Sequence, residues 1–208
     1  MVPQRHPGTS FTDNLARQDS TTFFVENTRS VTIADNDIEP VSRAVASFGG
    51  NQDLLVSGNR MVGGLGVGVL FQPPRTDTGL MPSRGVTVAG NEISGFSSPA
   101  MGGIGIAVAF GPAGTVHDVL VSDNVVRDNA VAGVSVQRNN TGVFVRGNAA
   151  SGNPVGIWSR PLASGVYYEQ NVLLGNVVDA RDDNRSANTW VGNVCVSDIP
   201  RGTICGAG

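Results

Sequence analysis

The chain contains no lysine; all 14 basic residues are arginine. A lysine Schiff base and a lysine general base are therefore excluded. Histidine is limited to His6 and His117, and cysteine to Cys195 and Cys205. Two of each, with the histidines far from the cysteines, give no zinc-ligand spacing. Charged residues make up only 15% and the formal net charge is -3, so nothing suggests the basic stripe of a nucleic-acid binder. A local group of arginines could still meet an acidic polymer. No apolar run approaches the roughly 20 residues a membrane span needs. The start, Met1-Val2-Pro3-Gln4-Arg5-His6, lacks the apolar segment of a signal peptide. The cysteine pair is compatible with a disulfide, and so with an oxidising compartment, or with two free thiols. A disulfide without a leader would point to a mature or truncated chain, as does the lack of a clear capping helix before Phe23.

Glycine is abundant, with 28 of 208 residues, nearly double the roughly 7% of ordinary proteins. A short unit recurs: aliphatic, any, aliphatic, any, Gly or Asp, Asn. It runs Val31-Thr32-Ile33-Ala34-Asp35-Asn36, then Leu54-Leu55-Val56-Ser57-Gly58-Asn59 and Val86-Thr87-Val88-Ala89-Gly90-Asn91. Val119-Leu120-Val121-Ser122-Asp123-Asn124 and Val143-Phe144-Val145-Arg146-Gly147-Asn148 follow. Looser copies end at Asn171 and Asn193. The gaps between these asparagines are 23, 32, 33, 24, 23 and 22 residues. The two long gaps hold Gly- and Pro-rich stretches, around Gln72-Pro73-Pro74 and Ser97 to Gly103, which read as extruded loops.

Alternation with period two puts every second side chain on one face, as in a strand. A second short strand follows each Asn, through Ile38, Met61, Ile93 or Val126. A third follows a turn, through Val67/Val69, Ile106/Val108, Val134/Val136, Ile157/Ser159 and Val178/Ala180. Three short strands per coil of about 23 residues define a parallel β-helix, a solenoid of stacked rungs. The expected fold is all-β, a single-stranded parallel β-helix of about seven coils. Residues 1–22 are expected to be a poorly defined segment or partial cap, and 23–208 the solenoid. Asn is expected to make the left-handed turn and to stack in a side-chain ladder, a structural task.

The sequence resembles bacterial right-handed parallel β-helix repeat proteins of the pectate-lyase-like superfold, especially secreted actinobacterial members. Those end with an Asn-x-Trp-x-Gly-Asn-x-Cys segment and a second Cys after Pro-x-Gly. Here the matching residues are Asn188-Thr189-Trp190-Val191-Gly192-Asn193-Val194-Cys195 and Pro200-Arg201-Gly202-Thr203-Ile204-Cys205. The resemblance implies a right-handed helix, a Cys-containing C-terminal cap and a secreted protein. It also implies that glycan chains bind on the outer face of the strands of the Val134/Val136 type. The superfold hosts lyases, hydrolases, epimerases and non-enzymes, so it does not choose an activity.

If Val134, Val136, Ile157, Ser159, Val178 and Ala180 point inward, the outer face carries Ser135, Gln137, Trp158, Arg160, Asp179 and Arg181. Gln137, Arg160 and Arg181 then form one column, with Ser135, Trp158 and Asp179 beside it. The following loops add Arg138, Asp182 and Asp183. A tryptophan offers a flat face to a sugar ring, and paired arginines can hold a uronate or sulfate. Trp158, Gln137, Arg138 and Asp182 are therefore candidate substrate contacts, and Asp179, Arg160 and Arg181 candidate catalytic groups. The plain alternative is ordinary cross-strand pairing of surface charges. No cofactor is expected; Asp179, Asp182 and Asp183 are the one set that could supply calcium ligands.

The Gln72–Arg84 loop, with Arg75, Asp77 and Arg84, could overhang a cleft, and His117 could be a lone catalytic group. The functional expectation is binding of an acidic polysaccharide or oligosaccharide. Processing by a lyase or hydrolase remains open. The alternative is a non-catalytic structural or attachment module, or a truncated inactive paralogue. No nucleic-acid or membrane partner is expected, and the oligomeric state is not legible.

Overall fold

A computed structural model of the chain describes residues 8–74, 79, 81–109, 115–137, 140–184 and 187–205. The recurring unit forms six-residue strands, among them Arg29–Ala34, Gln52–Ser57, Arg84–Ala89 and His117–Ser122. Their β-branched residues suit a pleated, half-buried surface. Each is followed by a short strand, such as Arg60–Val62 or Glu92–Ser94, and then by a third, such as Val67–Gln72 or Ile104–Val108. Like strands of successive coils pair in parallel, giving, among the described residues, three sheets of eight strands each.

The register stacks like on like. One inward column of the first sheet runs Phe11, Ile33, Val56, Val88, Val121, Val145, Tyr168 and Trp190. Ile38, Met61, Ile93 and Val126 do the same in the second sheet, and Val45, Val69, Ile106, Val134 and Ile157 in the third. Ile33, Val56, Val88, Val121 and Val145 are 0% exposed. Burial of each such side chain contributes about 1.5–3 kcal/mol before chain entropy is counted.

The Asn ladder is continuous. Asn36 donates to Asn59 at 2.8 Å, Asn59 to Asn91 at 2.9 Å, and Asn91 to Asn124 at 2.9 Å. Asn124, Asn148 and Asn171 carry it on to Asn193. One expectation is corrected. The left-handed residue is the one before each Asn: Asp35 (φ 55°), Gly58 (φ 64°), Gly90 (φ 64°) and Asp123 (φ 56°). The turn is made one residue early because the Asn amide must point inward to reach its neighbours.

The solenoid also starts earlier than expected. Thr9–Thr12, Leu15–Arg17 and Thr21–Glu26 already supply one strand to each sheet, so the described residues form eight rungs. Asn14 donates to Asn36 at 2.9 Å over a separation of 22 residues. The turn and the Asn of this rung obey the repeat, but its strand Thr-Ser-Phe-Thr is exposed and barely apolar, so its period-two pattern is faint.

A second ladder, not foreseen, lines the corner before the third sheet. Asn129 donates to Asn153 at 3.0 Å, and Asn153 to Asn176 at 3.0 Å. The 24- and 23-residue spacings were its signal.

Candidate functional site

The outer face of the third sheet is not a bare surface. Val67, Leu70, Ile104, Ala107, Ala132 and Val155 form a second, outer apolar cluster, with Phe48, Val131 and Trp158 packed at its margin. The insertion that carries the 3-10 turn Pro99–Met101 lies against it. Its backbone follows the preceding coil: Ser97 and Ser98 N–H donate to Gly64 and Leu65 C=O, and Gly103 N–H donates to Gly66 C=O at 2.8 Å. A groove of about 470 Å³ remains beside this turn, lined by Arg43, Met101, Ile104, Val131, Gln137 and Arg160 among others.

At one end of the groove is the tryptophan–arginine cluster. Trp158 pairs with Ser135 on one side and Arg181 on the other. The expected columns are thus corrected: Ser135, Trp158 and Arg181 are aligned, and Arg160 is not in line with Arg181. Gln137, Arg160 and Asp183 follow the next position, each N–H reaching back to Val108, Val136 and Ser159 C=O. The slip is two residues in the strand Val178–Asp182. Either Val178/Ala180 or Ala180/Asp182 satisfies the alternation, and the pattern favoured the apolar pair. The observed register buries Asp182 instead, because donors await it there.

Trp158 is half-buried, and its indole N–H donates to Asp183 Oδ2 at 2.8 Å. The Arg160 guanidinium lies 3.8 Å from the ring centroid and that of Arg181 4.5 Å. The ring therefore holds two cations by its π face rather than offering that face to a sugar. Arg181 Nε donates to Asp183 Oδ1 at 2.8 Å, which neutralises it. Arg160 differs. Its Nε donates to Ser135 Oγ at 3.0 Å. Among the described residues no carboxylate lies within ion-pair distance of Arg160 and its terminal nitrogens make no hydrogen bond. Burial pushes its pKa down, Asp183 opposes that and Arg181 adds to it; the group still carries its charge. At the groove's other end, Arg43 keeps a buried Nε without a partner among the described residues.

Two candidate carboxylates are placed elsewhere. Asp179 faces inward, 2% exposed, and ends the second Asn ladder. Its carboxylate accepts from Asn176 N and Nδ2, and from Val196 N at 3.0 Å and Ser197 N at 3.1 Å. Burial pushes its pKa up, but the N–H groups of Val196, Asn176 and Ser197 outweigh that and hold it below the usual carboxylate range. It is a ladder terminus, not a group on the outer face. Asp182 is the last residue of its strand, 5% exposed, and bonds Trp190 and Asn184 inside. Among the described residues no three His, Cys, Asp or Glu side chains converge to hold a metal ion.

Arg138, Arg75, Asp77 and His6 lie outside the described residues. Arg84 opens an exposed strand end. His117 Nε2 lies 3.1 Å from Thr115 Oγ1. Arg43 and the Pro99–Met101 wall were missed. Only the length of the insertion between the Asn units hinted that it could reach over the third sheet.

The C-terminal cap is closed by the Cys195–Cys205 disulfide, with Cα atoms 5.2 Å apart. Asp198 gathers four backbone N–H groups within it, from Gly202, Thr203, Ile204 and Cys205. Among the described residues no helix is long and apolar enough to cross a membrane.

Three parallel sheets wound around one core, with inward Asn ladders, define a parallel β-helix repeat protein. The chain belongs to the family described as right-handed beta helix region, whose model matches residues 8–173. No curated protein and no solved structure matches the chain.

Proposed function

We propose that this β-helix binds an acidic glycan along the groove on the outer face of its third sheet. The observation that carries the reading is Arg160. Its guanidinium is held in place by Trp158 and Ser135, and its terminal N–H groups, without a partner among the described residues, are left to an anion. A uronate carboxylate or a sulfate fits that fork bidentately. Arg43 lines the same groove, four strands away, roughly 19 Å along the solenoid axis at the ordinary strand spacing. An extended oligosaccharide carrying several acidic groups can meet both arginines in the one groove. Gln137 adds a neutral donor and acceptor for hydroxyls.

The reading is binding without turnover. Asp179, the carboxylate expected to do chemistry, faces the interior with its oxygens engaged. The disulfide supports a working place outside the reducing cytoplasm. An array of uronate-bearing, sulfated and neutral glycans, probed with wild type and Arg160→Ala, tests the proposal. Retention on acidic glycans only, lost in the variant, is the expected result. Equal retention of the two proteins, or no retention on any glycan, contradicts it. Ultraviolet absorbance of an unsaturated product growing with time would instead make the chain a lyase.

A further inference from the structure

A second cavity, of about 560 Å³, lies at the C-terminal end of the solenoid, lined by Asp182, Asn188, Trp190, Pro200, Thr203 and Ile204 among others. Its character is opposite to that of the groove. Trp190 ends the inward column of the first sheet; its ring stacks on Tyr168 with centroids 3.9 Å apart and planes 15° from parallel. Pro200 and Ile204 supply further apolar wall, and Asp182 is the one charged group among these lining residues.

The hydrogen bonding around Asp182 is incomplete. Oδ1 accepts from Asn184 N at 2.9 Å and Oδ2 from Trp190 Nε1 at 3.0 Å. The remaining donor is Asn188 Nδ2, 3.2 Å from both oxygens. That nitrogen has only two hydrogens, and it also faces Ser159 Oγ at 3.0 Å and Ala163 O at 3.1 Å. Two hydrogens shared among four acceptors do not saturate the carboxylate, so Asp182 keeps lone-pair capacity for a further donor. No arginine or histidine lies within ion-pair distance of it among the described residues. A carboxylate only 5% exposed, with neutral donors and no counter-charge, is an unfavourable state that a cation relieves.

We propose that this cavity binds a small organic cation, an ammonium carried on an apolar body. The ammonium sits at Asp182, and the body lies against Trp190, Pro200 and Ile204. The volume is within the usual range of small-ligand pockets, roughly 300–1,000 Å³. The Trp190 ring gives the apolar body a flat wall, and the Thr203 hydroxyl can accept a second ammonium hydrogen. An anionic ligand is repelled by the same carboxylate. The inference stands independently of the glycan reading, because it uses a different cavity and the opposite charge.

The test is a nuclear magnetic resonance titration of the whole disulfide-bonded chain with benzylamine and cyclohexylamine at neutral pH, against benzyl alcohol and cyclohexanol. Expected are saturable shifts of the Trp190 indole N–H and the Ile204 methyls with both amines. The matching alcohols should bind about tenfold more weakly or worse, the loss of one charge-assisted contact. Asp182→Asn, which keeps one acceptor oxygen for its neighbours, should remove the preference for amines. Equal affinity for amines and alcohols, or amine-induced shifts that do not saturate at Trp190 and Ile204, overturns the proposal.

Discussion

Asn91 shows how much one residue does in this fold. Its amide donates to Asn124 Oδ1, Val56 O and Ala89 O, while its Oδ1 accepts from the Asn59 backbone and side chain. Asn91→Ala strands several buried polar groups at once. We expect a loss of about 2–3 kcal/mol or more in urea unfolding. Asn14→Ala, on the exposed first rung, should lose less than about 1 kcal/mol. Gly156 is required for a different reason. A Cβ there would lie 2.5 Å from Asp179 O and 2.8 Å from Asn176 Nδ2. Gly156→Ala should therefore destabilise by about 1–3 kcal/mol, read from the same curves. The first ladder was legible because its Asn follows an apolar alternation. The second was not, because Asn129, Asn153 and Asn176 follow short second-sheet strands with one inward residue each. Asp179 was misjudged for a related reason: alternation alone treats an Asp in a strand as outward, whereas four N–H donors make an inward one stable.

At the scale of elements, the cap depends on acidic groups and one covalent link. Asp179 and Asp198 both have pKa values held below the usual range. In each, burial pushes the pKa up, and hydrogen bonds, chiefly from backbone N–H groups, more than offset it. Their stabilisation is fully present above the unfolded value of about 3.9 and is lost as pH falls through the lower folded values. Hydrogen exchange should accordingly show the backbone amides of residues 196–205 losing protection below about pH 4, while the central coils keep theirs. Replacing both Cys195 and Cys205 by serine should lower stability by about 2–3 kcal/mol, given the short loop they close. The loss of protection should again be confined to the last coil. The strands themselves were readable, since their β-branched alternation recurs. The register of the last third-sheet strand was not, since two settings of Val178–Asp182 satisfied the pattern equally and only the donors of the cap distinguish them.

For the whole molecule, each coil touches only its neighbours, so sites arise where the repeat is interrupted. The groove exists because one insertion folds over the third sheet and because apolar outer residues give way to Ser135, Trp158 and Arg181 in the later coils. The sequence showed the late arginines and the tryptophan. It could not show that the indole is spent on holding them, or that Arg43 lies in the same groove, because both depend on how loops and side chains settle across several coils. We propose that Arg160 is a prepared anion contact for a glycan. Isothermal titration of a uronate oligosaccharide into wild type and Arg160→Ala, at low and high salt, tests it most directly. Saturable binding that weakens with salt and falls about tenfold or more in the variant is the expected result. Binding of equal strength in both proteins, or no heat with any uronate chain, would contradict it.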